Sequence, residues 1–82
     1  MPARRRTIAS PLPDLLKKAR ERAGITQIDL AQRLKRSQAF VSKYEHGNRQ
    51  LRLEEVAEVC DALGVSILDV VATWVALREE AR

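Results

Sequence analysis

Apolar residues recur along this chain at helical spacing, in five blocks punctuated by glycine, serine or basic residues. In the first block Leu12, Leu15, Leu16, Ala19 and Ala23 share one face, which predicts a helix over about 12–23. Pro11 and Pro13 fit only in or before its first turn, where no backbone N–H is required, and Gly24 supplies the stop. The second block opens at Thr26 with "TQID", a Thr-x-x-Asp capping pattern, and carries Leu30, Ala31 and Leu34 on its inner stripe. It ends after Leu34 because Ser37 can cap the next helix, so the link is only Lys35 and Arg36.

The third block, "SQAFVSKYE", turns Val41 and Tyr44 inward and stops at Gly47; a polar, basic loop, "NRQLR", follows. The fourth spans about 53–63, with a stripe of Leu53, Val56, Ala57, Cys60 and Leu63. Glu54 and Glu55 suit the positive end of its dipole, and Gly64 stops it. The fifth starts at Ser66, with Asp69 three residues on, and runs to about 80. It is apolar on two stripes: Ile67, Val70, Trp74 and Leu77 on one, Leu68, Val71 and Val75 on the other. One stripe suffices to pack on the chain's own core; the second requires another surface.

The expected fold is therefore all-α, with five helices in one domain over residues 11–82 and a basic arm over residues 1–10. A hydrophobic share of 45% with 32% charge is that of a globular chain. The only aromatics are Phe40, Tyr44 and Trp74, so the core must be mostly aliphatic. Single Cys60 permits neither an intrachain disulfide nor a cysteine-cluster metal site, and its neighbours on the helical stripe make it a core thiol. Lone His46 has no second ligand. No apolar run reaches membrane-spanning length and the N-terminus has no secretory h-region, so no membrane association is expected and the cytoplasm is the expected location. With one His, one Cys and three glycines that all stop helices, neither a catalytic set nor a phosphate-cradling loop is available. No enzyme and no cofactor are expected.

Charge adds the first functional direction. Residues 1–52 hold 13 Lys/Arg against 4 Asp/Glu, and residues 53–82 hold 2 against 7, so a net +9 faces a net −5. Such a division gives one face for polyanions and one that avoids them.

Residues 26–47 form a capped helix, a very short turn and a second capped helix, which is the helix-turn-helix layout. In that layout the second helix enters the major groove with its N-terminal residues at base edges. Ser37, Gln38 and Ala39 suit that position: Gln can pair with adenine through two hydrogen bonds, Ser can donate or accept, and Ala can touch a thymine methyl. Lys43 can reach a guanine edge or a phosphate.

The stretch "ITQIDLAQRLKRSQAFVSKYEHGNRQLRLEEVAEVCDALGVS" resembles the Cro/CI-type, or XRE, helix-turn-helix family, which includes phage repressors and restriction-modification controller proteins. The coincident features are "TQ" opening the second helix, "LA..L" within it, "S....S..E.G" across the third, and "LGVS" before the fifth. With the first helix, the resemblance covers roughly residues 12–71. It implies a compact lambda-repressor-like five-helix domain. It also implies base-reading positions at Ser37, Gln38, Ala39, Ser42 and Lys43, and a phosphate contact at Gln27, with Thr26 beside it. Gln27 would also buttress the recognition helix. Asn48 and Arg49 match a phosphate-contacting loop, and Glu45 matches an acid that pairs with a base on the first helix, here Arg20.

The chain departs from the family pattern at three places. Lys35 stands where the turn usually carries Gly; a left-handed backbone there costs on the order of 1 kcal/mol. Lys35, with Arg36 beside it, then projects toward the DNA backbone. Ile28 replaces a polar residue and is either an isolated exposed apolar or a partner contact. Arg52 replaces the capping residue of the fourth helix, which weakens that helix start but adds a cation near phosphate. Phe40 either packs sideways, which is the expectation, or touches a thymine methyl. Lys17, Lys18 and Arg22 are expected on a solvated face. Arg4, Arg5 and Arg6 are either a solvated arm or a groove-binding one.

The leading expectation is a sequence-specific transcriptional regulator, a repressor or controller, that binds double-stranded DNA at an inverted repeat. The spare apolar stripes make it a homodimer through Leu68, Val71, Trp74, Val75 and Leu77. The alternative is a DNA-binding antitoxin or similar module whose C-terminal half holds a toxin or co-regulator.

Overall fold

Leu16 has no exposed surface, and the helix that carries it is organised around that fact. The computed structural model describes residues 10–80, so Arg4, Arg5 and Arg6 lie outside the described residues. Helix α1 runs Leu12–Arg22, α2 Gln27–Leu34, α3 Gln38–Glu45, α4 Leu53–Leu63 and α5 Ile67–Glu80. No strand occurs among the described residues. Helices α2 and α3 pack on each other; α1 and α4 close the core around them, and α5 lies against α1 and α4.

Each helix start has a local cause. The Leu12 N–H donates to Ser10 Oγ at 3.2 Å, ahead of Pro13 in the first turn. Thr26 and Asp29 form a reciprocal capping box on α2, with the Asp29 N–H on Thr26 Oγ1 at 3.0 Å and the Thr26 N–H on Asp29 Oδ2 at 3.5 Å. Ser37 Oγ accepts the Phe40 N–H at 3.2 Å and caps α3. Such caps are each worth about 1 kcal/mol. At α4, as expected, the side chain of the cap residue Arg52 accepts no first-turn N–H; the Arg52 N–H itself donates to Glu55 Oε1 at 2.9 Å, which supplies the reciprocal half of a capping box.

The turn between α2 and α3 bends through Lys35, at φ 58° and ψ 42°, and closes with the Arg36 N–H on Ala31 O at 2.9 Å. Gly64 makes the same left-handed turn after α4, with the Val65 N–H on Cys60 O at 3.0 Å. Lys35 thus does a glycine's work at a conformational cost of about 1 kcal/mol.

The core comprises Leu16, Ile25, Leu30, Ala31, Val41, Tyr44, Val56, Val59, Cys60 and Leu63, with Phe40 at its edge. Each fully buried leucine contributes about 1.5–3 kcal/mol. The stripe on α4 differs from the expected one. Val59 is buried, Ala57 only half-buried, and Leu53 is 69% exposed. Leu53 opens its helix, where no neighbouring element covers it, and the preceding Leu51 packs on the core instead. Phe40 packs inward, edge-on to Tyr44 with ring centroids 5.6 Å apart, which removes the thymine-methyl alternative. Ile28 is exposed. No single helix among the described residues is long and apolar enough to cross a membrane.

Candidate nucleic-acid interface

The first turn of α3 presents Ser37, Gln38 and Ala39 to solvent on one surface, with Lys43 exposed further along the same helix. None of the four is needed by the core, whose contacts from α3 come from Phe40, Val41 and Tyr44. Ser37 Oγ accepts the Phe40 N–H through one lone pair and keeps its O–H as a donor. Ser42 is half-buried. Its backbone oxygen receives the His46 ring Nδ1 at 2.7 Å, and its hydroxyl lies 3.5 Å from the same nitrogen.

Behind this surface runs a polar chain across three helices. Arg20 on α1 donates to Glu45 at the end of α3 through Nε (2.7 Å) and Nη2 (3.1 Å), and through Nη1 to Ile25 O at 2.8 Å. The side chain of Glu45 is 1% exposed, so its charge must be met inside the protein. Its hydrogen bond to Arg20 raises the arginine pKa further, against the opposing effect of burial. Glu45 Oε1 also accepts from Gln27 Nε2 at 2.9 Å, and Gln27 Oε1 in turn receives Gln38 Nε2 at 3.5 Å. Gln38 is therefore reached by a continuous polar path from the core. Its amide oxygen has no hydrogen-bond partner among the described residues.

A second cluster gathers around Phe40. The guanidinium carbons of Arg36 and Arg49 lie 4.4 Å and 4.7 Å from the Phe40 ring centroid. Both arginines pair with Glu55: Arg49 through two bonds at 2.9 and 3.0 Å, Arg36 at 3.3 Å. Arg49 also donates to Gln50 O at 3.0 Å, and Arg36 lies 3.8 Å from Glu58. The Arg49 hydrogen bonds, and then the Arg52 N–H, hold the Glu55 carboxyl at about 2, although desolvation pushes the other way. The same pairing raises the Arg49 pKa.

The residues expected at phosphates are thus in two groups. Lys35, Asn48 and Arg52 are exposed, and neither Lys35 nor Arg52 has an ion-pair partner among the described residues. Thr26 and Gln27 are engaged in the cap and the polar chain, and Arg36 and Arg49 are engaged with Glu55. Sequence reasoning missed Glu55 as a hub. One signal was present: a Glu three residues after the cap position at Arg52, the place of the acid in a capping box.

On the far side, α5 has no buried residue. Ile67 and Val70 rest on the core, whereas Leu68 is 76% exposed. Val71, Trp74, Val75 and Leu77 are half-buried. Trp74 Nε1 donates to Ser10 Oγ at 3.3 Å, and Arg78 lies over its ring at 5.1 Å.

Residues 12–74 match a family described as a helix-turn-helix domain. An XRE-family like protein from Pseudomonas syringae pv. tomato is 40% identical over 84% of each chain, with a TM-score of 0.79. The clp gene regulator ClgR from C. glutamicum is 29% identical over 92% of this chain and 96% of its own, with a TM-score of 0.77. The restriction-modification controller protein C.Esp1396I, solved as a tetramer with its 35 base-pair operator, shares the fold at 24% identity over 88% of this chain and 95% of its own, with a TM-score of 0.76. No curated protein matches the chain.

Proposed function

Because the chain belongs to the Cro/CI-type, XRE-family helix-turn-helix proteins, we propose that it is a sequence-specific DNA-binding transcriptional regulator. The observation that carries this reading is the exposed first turn of α3, where Gln38 is reached from the core through Gln27, Glu45 and Arg20. A pre-positioned amide beside Ser37 and Ala39 suits readout of an adenine–thymine step in the major groove. Lys43 and Ser42 extend the base-facing surface. Lys35, Asn48 and Arg52 flank it as phosphate contacts, with the α2 N-terminus at Thr26 and Gln27. A relative at 29% identity bears the name of a gene regulator, which supports the same direction.

The regulator acts in the cytoplasm as a homodimer through α5, with Leu68, Val71, Trp74, Val75 and Leu77 in the interface. The support is that this helix has no buried residue and keeps Leu68 open. A two-fold dimer places two copies of α3 about 34 Å apart, one turn of DNA, and so reads an inverted repeat. No enzymatic chemistry is part of this reading. The test is selection of bound DNA from a random duplex library, with the solution mass measured in parallel. An enriched inverted repeat bound by a dimer supports the proposal. A monomer with only general, salt-sensitive binding overturns it and favours a chain whose α5 face is completed by a toxin or co-regulator.

A further inference from the structure

We propose that Glu55 is a selectivity residue of the DNA-facing surface: a resident counter-ion that occupies Arg36 and Arg49 and so keeps sequence-independent binding weak. The inference rests on the DNA-binding reading above and deepens it. Glu55 is 6% exposed, yet it is ringed by cations. Its Oε1 receives Arg49 Nη1 and the Arg52 N–H, each at 2.9 Å; its Oε2 receives Arg49 Nη2 at 3.0 Å and faces Arg36 Nη2 at 3.3 Å. The Phe40 ring lies against both guanidiniums, 4.4 Å from Arg36 Cζ and 4.7 Å from Arg49 Cζ. Phe40 follows Ala39 directly, so the cluster sits at the edge of the base-facing turn.

The consequence is electrostatic. Sequence-independent affinity comes from cations that meet phosphates and release condensed counterions. A guanidinium already paired to a buried carboxylate brings little net charge to a phosphate. By sequence this corner offers Arg36, Arg49 and Arg52; by structure one of those three charges is cancelled by Glu55, and Arg36 is drawn further toward Glu58. Lys35, Lys43 and Arg52 remain without acidic partners among the described residues. The base-reading turn does not depend on Glu55, so weakening the general term raises the ratio of operator to random-sequence binding.

A purely structural staple would make a different prediction, because Glu55→Gln keeps the shape and the acceptor for the Arg52 N–H while losing the charge. The full chain, with Glu55→Gln and Glu55→Asp variants, is titrated with a random-sequence duplex and with the selected operator, from about 50 to 200 mM salt. The Gln variant is expected to bind the random duplex several-fold tighter at low salt. Its plot of log affinity against log salt should steepen by about one unit, and its operator preference should fall. The Asp variant should restore the wild-type slope. A folded Gln variant with unchanged slope and unchanged random-duplex affinity overturns the proposal. If the Gln variant does not fold, Arg49→Gln is compared with Lys43→Gln: a much smaller change of slope for Arg49→Gln supports it, and equal flattening overturns it. A wild-type chain that binds neither duplex overturns the DNA reading and this inference with it.

Discussion

Arg20 grips Glu45 from 25 residues away, with two hydrogen bonds of 2.7 and 3.1 Å, and thereby ties the first helix to the end of α3. Both partners are largely hidden from water, and Glu45 almost wholly so. Arg20→Ala leaves that carboxylate buried with Gln27 as its remaining side-chain partner. The expected loss is about 3 kcal/mol of stability, read by urea denaturation followed by circular dichroism. A loss within 0.5 kcal/mol, on the order of a typical surface change, would show that the pair is ornamental.

Gln38 is the residue whose removal should change what is read rather than how tightly. Gln38→Ala is expected to relax preference at one base position in each half-site and to cost about 1–3 kcal/mol there. Gln27→Ala should weaken the same preference by less, because it removes the support and leaves the reader. Competition binding against single-base operator variants measures both. An unchanged base preference in the Gln38 variant would remove α3 from the groove.

Glu55 gives the stability curve an acidic limb. Its carboxyl is held at about 2 in the folded chain, below the ordinary 4.5, so the folded state binds this proton less readily than the unfolded state. Its contribution is therefore fully present above about pH 4.5 and is lost as pH falls from there through about 2. Denaturation midpoints across that window should drop for the wild type and drop less for Glu55→Gln. Parallel curves for the two would contradict the arrangement around Arg49.

Tyr44 is wholly buried, and its hydroxyl has no hydrogen-bond partner among the described residues. Burial also raises its pKa strongly, with Glu45 adding to the effect and Arg20 opposing it. An unpaired buried hydroxyl costs stability, so Tyr44→Phe is expected to leave the melting temperature unchanged or raise it, by the equivalent of up to about 1 kcal/mol. A clear fall on calorimetry would mean that the hydroxyl has a bonded partner.

Leu68 tests the dimer more cleanly than Trp74, because Trp74 also bonds Ser10 and stacks with Arg78 within the chain. Leu68→Asp should leave the monomer folded and shift sedimentation equilibrium toward it. Operator affinity should then fall steeply, since each half-site is bound alone. A Leu68→Asp chain that remains dimeric would move the interface elsewhere.

The helices, their ends and the inward faces of α2 and α3 were legible in the chain because they follow from local rules. Helical spacing, the Thr26 box, the Ser37 cap and the stops at Gly24, Gly47 and Gly64 act over a few residues. The helix-turn-helix layout came with them, since a two-residue link leaves two capped helices little freedom. The sequence could also show which residues near the turn were surplus to the core. What it could not show was pairing across the fold. Whether Arg36 and Arg49 face a phosphate or a carboxylate depends on where α4 docks, and only the packed structure brings Glu55 beneath them. The same holds for Val59, rather than Leu53, joining the core. Periodicity fixes a face on each helix, but the choice among neighbours on that face is made by the other helices that cover it.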